Sequence, residues 1–312
     1  MRIGSRRLLR DVGGVASRNE RTFRTILSTN RTTVLMLVPC VAALLVLTAY
    51  PIAYSLRLTL FDWNLLEGAQ NAQFIGLANF SRLLSDHVFA EDLWTTLRFS
   101  FVTVFLELFV GMALALILNS NLRGSRILRL VIMVPMVIAP ISIGAIWRLL
   151  YHLERGHFNF FLSLLNIGPV AWLSDPSIAF GASVIVDIWK WSPLLALMFL
   201  AGLRAVPDEI YEAGNIDGAS PTQTFLRLTL PMLQPHVAVA ISIRLIDSFK
   251  TFDYLWMLTS GGPGRVTELL NIYTYRTGMR HFDMGYASTL SVFLMVLAAG
   301  SGLIVNRLMK RK

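Results

Sequence analysis

Six stretches of the chain carry almost only apolar side chains, and the polar residues collect between them. A helix needs about 20 such residues to cross ~30 Å of hydrocarbon with its backbone N–H and C=O groups paired within the segment, so each stretch predicts a membrane span. Residues 33–56 and 284–306 contain no Asp, Glu, Lys or Arg. Residues 99–118 contain Glu107 as their one charge, and 130–147 are uncharged but hold Pro135 and Pro140, which predicts a kinked helix. The fourth stretch, 178–203, holds Asp187 and Lys190, and the fifth, 233–257, holds His236, Arg244, Asp247 and Lys250 among its polar residues.

Composition agrees with a polytopic chain. Of 312 residues 54% are hydrophobic and 15% charged, against about 25% charged in ordinary globular proteins, and the mean hydropathy is +0.58. The expected fold class is therefore an all-α integral membrane protein of six transmembrane helices. The single cysteine, Cys40, excludes an internal disulfide and a cysteine-based metal cluster, and inside an apolar run it reads as a small buried residue without a role. A net charge of +9 could suggest nucleic acid, but the cations gather at the ends of hydrophobic segments, where they set topology. With both termini cytoplasmic, 17 of the 28 Lys and Arg lie inside, eight in external loops and three within spans. Residues 1–31 then form a basic cytoplasmic tail lying on anionic lipid, 32–306 the transmembrane domain, and 307–312 a basic cytoplasmic C-terminus. The tail lacks the apolar core and cleavage site of a signal peptide beside its arginines, so the first span is expected to be retained.

The cytoplasmic loop at 204–231 reads as two short helices around a turn. Asp208 is placed to cap the first, Gly218 to end it, and Ser220, Pro221 and Gln223 form a capping box with proline at the first helical position of the second. Ala213, Gly214, Gly218 and Ala219 keep the surface low. Such a loop suits docking to another protein, and equally an ordinary connection between spans.

Charges within the bilayer cost at least ~2.5 kcal/mol each on insertion scales and face a cavity, a partner helix or one another. Arg244, Asp247, Ser248 and Thr251 fall at i, i+3, i+4 and i+7, one helical stripe, and Asp187, Lys190 and Trp191 at i, i+3 and i+4. A binding pocket uses this mixture, since polar groups of a ligand need directional partners while an apolar face stacks on an aromatic. Internal ion pairs, Asp187 with Lys190 and Arg244 with Asp247, are the other reading. Glu107, alone in its span, reads as a helix-contact residue rather than a proton carrier. The histidines at 87, 152, 157, 236 and 281 form no ligand pattern, so no metal is expected, and residues 260–264 read as a glycine-rich turn. No GxxxxGK[ST] phosphate loop occurs, so no ATP-hydrolysing role is expected of this chain.

The loop resembles the EAA loop of ABC importer permeases through Glu212, Ala213, Gly214, Asp217, Gly218, Ala219, Leu228, Leu230 and Pro231, with Gly214 where that family prefers alanine. YPIAYSLRLTLFDWN at 50–64, FIGLANFSRLLSD at 74–86, WLSDP at 172–176, LTSGGPG at 258–264 and FDMGYAS at 282–288 are similar to the sugar-uptake branch related to maltose permeases. The resemblance implies a type I importer-like bundle in the bacterial inner membrane, non-catalytic and without a bound cofactor. It implies as partners a second homologous permease subunit, an ABC ATPase dimer using ATP and Mg, and an extracytoplasmic solute-binding protein delivering a sugar or glycoside. It assigns ATPase coupling to Glu212, Ala213, Gly214, Asp217, Gly218 and Ala219. Positions lining the sugar site of maltose-type permeases match Asp187, Trp191, Arg244, Asp247, Ser248 and Thr251. These are more charged here, which leaves room for an anionic glycoside or a glycerol-phosphate-type polyol countered by Lys190 and Arg244. A membrane-embedded enzyme using Glu107, Asp187 or Asp247 would have no need of a docking loop.

Overall fold

A computed structural model of the chain describes residues 31–120 and 124–310, almost wholly as helices. The basic tail before Arg31, Arg123 and the last two residues lie outside the described residues. The chain divides into two units, Met1–Arg57 and Leu58–Lys312. In the first, α1 (Arg31–Leu58) carries Pro39 and Pro51, and none of its apolar window is buried. Cys40, expected to be buried, is exposed, as is the rest of the apolar window of its helix.

The second unit opens with a two-stranded antiparallel hairpin, β1 (Phe61–Asp62) and β2 (Gln73–Phe74), followed by α2 (Ala78–Ser85). Next comes α3 (His87–Asn119), which at ~1.5 Å per residue outruns the hydrocarbon and begins well before the apolar stretch at 99. Its start is set by Asp86, whose carboxylate accepts from Val88 N at 2.9 Å and from the Tyr273 and Tyr286 hydroxyls at 2.6 Å each. Burial pushes this carboxyl up, but those bonds win and hold it below the usual carboxylate range. The fourth span is α7 (Pro176–Ala205), capped by Asp175 with proline at its first position, and the last is α14 (Met284–Lys310).

Among the described residues four helices are long and apolar enough to cross a membrane, or up to six if each of two bent pairs is one span, Ser125–Val137 with Pro140–Leu150 and Pro221–Met232 with Gln234–Ser248. The third span is a break and not the expected kink: α4 (Ser125–Val137) meets α5 (Pro140–Leu150) at 99°. Pro140 cannot supply an N–H to the preceding turn, and it forces the backbone before it into extended angles. A short helix, α6 (His157–Leu164), follows on the way to α7. The fifth span is also divided. Helix α11 (Gln234–Ser248) stops short, residues 249–252 are not helical, and α12 (Asp253–Thr259) resumes. No proline or glycine lies there. Asn271, from α13 (Leu270–Met279), donates to the Phe249 carbonyl at 2.8 Å and the Thr251 carbonyl at 3.5 Å, taking up groups the interrupted helix leaves bare.

Three apolar clusters hold the second unit together. One joins α3, α5, α7 and α12 through Phe99, Ile143, Val186 and Leu255. Another joins α3, α7 and α11 through Leu118, Leu195, Phe199 and Ala240. The third packs α13 and α14 on the start of α3 through Leu270, Leu290 and Phe89.

Candidate functional site

The two broken spans meet at a cavity of about 280 Å³. Met136, Ile138 and Pro140 line it from the α4–α5 break, and Lys250, Thr251, Phe252, Asp253 and Tyr254 from the α11–α12 break. Lys190 and Trp191 of α7 and Asp247 of α11 complete the wall. Irregular backbone at membrane depth is tolerated where it borders such a space. A larger groove, about 430 Å³ between α3, α4, α5 and α7, is lined by side chains such as Val110, Val131, Ile185 and Trp189 and offers one hydroxyl, that of Ser192.

Of the residues expected to bind substrate, Trp191, Asp247 and Thr251 line this cavity. Thr251 does so from the interrupted backbone, so the expected four-residue stripe is helical only through Ser248. Asp187, Arg244 and Ser248 are fully buried and do not line the wall. The Ser248 hydroxyl donates back to the Leu245 carbonyl at 2.9 Å. Arg244 uses four of its five N–H donors on three acids: Nε and Nη2 donate to Glu107 at 2.6 and 2.9 Å, Nη2 also to Asp187 at 3.1 Å, and Nη1 to Asp247 at 3.1 Å. The expected pair of Asp187 with Lys190 does not form, because Asp187 turns to the guanidinium instead. Lys190 Nζ lies 4.5 Å from the centre of the Trp191 ring and 5.0 Å from that of Tyr254.

Sequence reasoning missed Lys250, Phe252, Asp253 and Tyr254, which reach the cavity only because the helix is interrupted. It also left Glu107 without a partner. The signal was available, since a lone buried acid needs a cation and the spans hold only Lys190, Arg244 and Lys250. The buried Tyr254 hydroxyl and Asp187 Oδ1 have no hydrogen-bond partner among the described residues.

The loop between α7 and α11 forms α8 (Asp208–Ile216), one turn of helix at Pro221–Thr224 (α9), a wider turn at Phe225–Thr229, and Leu230–Met232 (α10). Pro207 holds the capping position without a side-chain bond, so Asp208 is not the cap; it and Glu209 sit in the first turn, where the helix dipole favours them. Gly218 takes φ +71° past the end of α8, a left-handed angle that costs glycine little. The capping box is formed, with Gln223 N donating to Ser220 Oγ at 3.3 Å and Ser220 N to Gln223 Oε1 at 2.9 Å. Glu212, Ala213, Asp217 and Gly218 are exposed and Ala219 is half-buried. Gly214 is buried, where a Cβ would lie 3.1 Å from Leu228 Cδ1, so it shapes the loop from beneath and not its outer surface. Ile216, 86% exposed, is the apolar tip.

Residues 107–312 match the family described as the binding-protein-dependent transport system inner membrane component. The chain is similar to the trehalose/maltose transport system permease protein MalF of Thermococcus litoralis, 40% identical over 226 residues, or 72% of this chain and 77% of that one. It is 34% identical to the sulfoquinovosyl glycerol transport system permease protein SmoG of Agrobacterium fabrum, over 89% of this chain and 90% of that one. Among solved structures, its fold resembles a chain of a bacterial ABC transporter involved in the import of the acidic polysaccharide alginate, with a TM-score of 0.78, 22% identity and coverage of 94% of this chain and 98% of that one.

Proposed function

Because the chain belongs to the family of binding-protein-dependent transport system inner membrane components, we propose that it is a permease subunit of an ATP-driven importer, taking up a sugar or glycoside delivered by an extracytoplasmic binding protein. The observation that carries this reading is the polar cavity where the two broken spans meet, on the helices that flank the capped loop. Transporters place substrate at such discontinuous helices. Trp191 offers a face for the sugar ring, and Asp247 and Thr251 offer hydrogen bonds to hydroxyls. Asp187, Arg244 and Ser248 support the wall from behind.

The chain itself performs no chemistry in this scheme. A second, homologous permease completes the pathway, and a pair of ATPases using ATP and Mg docks on Glu212, Ala213, Asp217 and Gly218. Closure of the ATPases pulls the loop, and α7 and α11, attached at its two ends, turn between inward- and outward-facing arrangements. A second reading, an anionic glycoside or polyol as cargo, is favoured by Lys190 and Lys250, which line the cavity and are in no ion pair among the described residues.

The test is reconstitution of the four-component complex in liposomes with trehalose, maltose and sulfoquinovosyl glycerol as probes. ATP-dependent accumulation of at least one of them is expected, and the neutral and acidic probes separate the two readings. A fully assembled complex that hydrolyses ATP yet accumulates no saccharide would overturn the proposal.

A further inference from the structure

Arg244 is the largest fully buried side chain among the described residues. A guanidinium presents five N–H donors in one plane, and a carboxylate grips it best through two parallel bonds. Glu107 makes that grip, at 2.6 and 2.9 Å, with neither partner reached by solvent. Four of its five N–H donors have acceptors among the described residues, and with 1% of the side chain exposed it is burial that keeps the guanidinium from a ligand.

Two groups that do line the cavity nevertheless rest on Arg244. Its guanidinium lies 4.6 Å over the Trp191 ring, and its Nη1 holds one oxygen of Asp247, whose side chain is 39% exposed. Glu107 comes from α3, which gives no residue to the cavity wall. We propose that Glu107 is a positioning residue: by fixing Arg244 out of reach of the substrate it presents the Trp191 face and the Asp247 carboxylate to the sugar, a role that rests on the reading of this cavity as the sugar site. The acid that the sequence isolates in the second span thereby sets the fit of a site formed by other helices. Loss of its charge, with one carboxylate oxygen replaced by an NH2 donor, frees a guanidinium donor, which then competes for Asp187 and Asp247 and draws Asp247 from the wall.

The test uses the complete reconstituted complex and whichever of trehalose, maltose or sulfoquinovosyl glycerol it accumulates. Glu107→Gln should raise KM about tenfold, the size of one hydrogen bond with a charged group, with little change in maximal rate per assembled complex. Asp247→Asn should do the same. Because both act through Arg244, the double variant should be no worse than the poorer single one. Effects that multiply in the double variant, or a Glu107→Gln complex that assembles in lower yield with an unchanged KM, would overturn the role. An unchanged KM in Asp247→Asn would remove the cavity reading and this role with it, whereas a raised KM there with a normal one in Glu107→Gln removes the role of Glu107 alone. If Glu107→Gln does not assemble, Glu107→Gln with Arg244→Gln leaves the net charge unchanged. An assembled double variant with raised KM supports the role, and a normal KM refutes it.

Discussion

Gly144 decides how closely α5 can lie on α12. A Cβ there would strike the Tyr254 carbonyl oxygen and come within 2.7 Å of Met257 Cβ, so the approach of the two helices beside the cavity requires glycine. Gly144→Ala must push them apart, at a cost of about 1–3 kcal/mol for overpacking. The purified complex should melt several degrees lower and transport more slowly, and an unchanged Tm with normal uptake would contradict the packing account. Nothing in the sequence around Gly144 marks this, because its neighbours are brought in from a distant helix. Gly218 was legible, since a helix end followed at once by a capping box leaves little but a left-handed turn between them. The charges were legible by halves. Arg244 with Asp247 follows from i, i+3 spacing and is present, whereas Asp187 and Lys190 have the same spacing and separate. The guanidinium offers Asp187 a planar donor that a local pattern cannot rank against the lysine.

Between helices, the difference between what the sequence announces and what it hides lies in the breaks. Pro140 announces an interruption, but its 99° follows from the packing of α5 on α12. The α11–α12 break has no proline or glycine to mark it. It is held by Asn271 from another helix, and Asp247, Lys250 and Asp253 crowd the residues around it without saying where the helix stops. The capping box of the loop, in contrast, is written in adjacent residues and forms as read. Glu212 is exposed on α8 and far in sequence from the cavity residues, so Glu212→Lys should leave assembly and KM for the sugar unaltered while uncoupling ATP hydrolysis from uptake. Rates of hydrolysis and uptake measured on the same liposomes check it, and wild-type coupling would count against docking at this face.

For the molecule as a whole, the distribution of Lys and Arg, 17 in the proposed cytoplasmic segments against eight in the external ones, predicts six crossings with both ends inside. With Cys40→Ser to clear the background, a cysteine placed by Lys312→Cys should react with a membrane-impermeant maleimide only after the cells are opened. Labelling of intact cells would reverse the topology. The apolar helices were legible from composition, because length and hydropathy are what mark them. The cavity was not, since it is made where the crossings fail to be continuous. Those same interruptions bear on the cell's energy supply. Backbone groups left bare at a break would draw water inward, and an unbroken thread of water would conduct protons and discharge the gradient across the membrane. Asn271 takes up the Phe249 and Thr251 carbonyls, and Met136, Ile138 and Phe252 stand among the charges of the cavity; paired carbonyls and apolar walls would together keep such a thread short, so that a polar cargo is passed through without a current accompanying it.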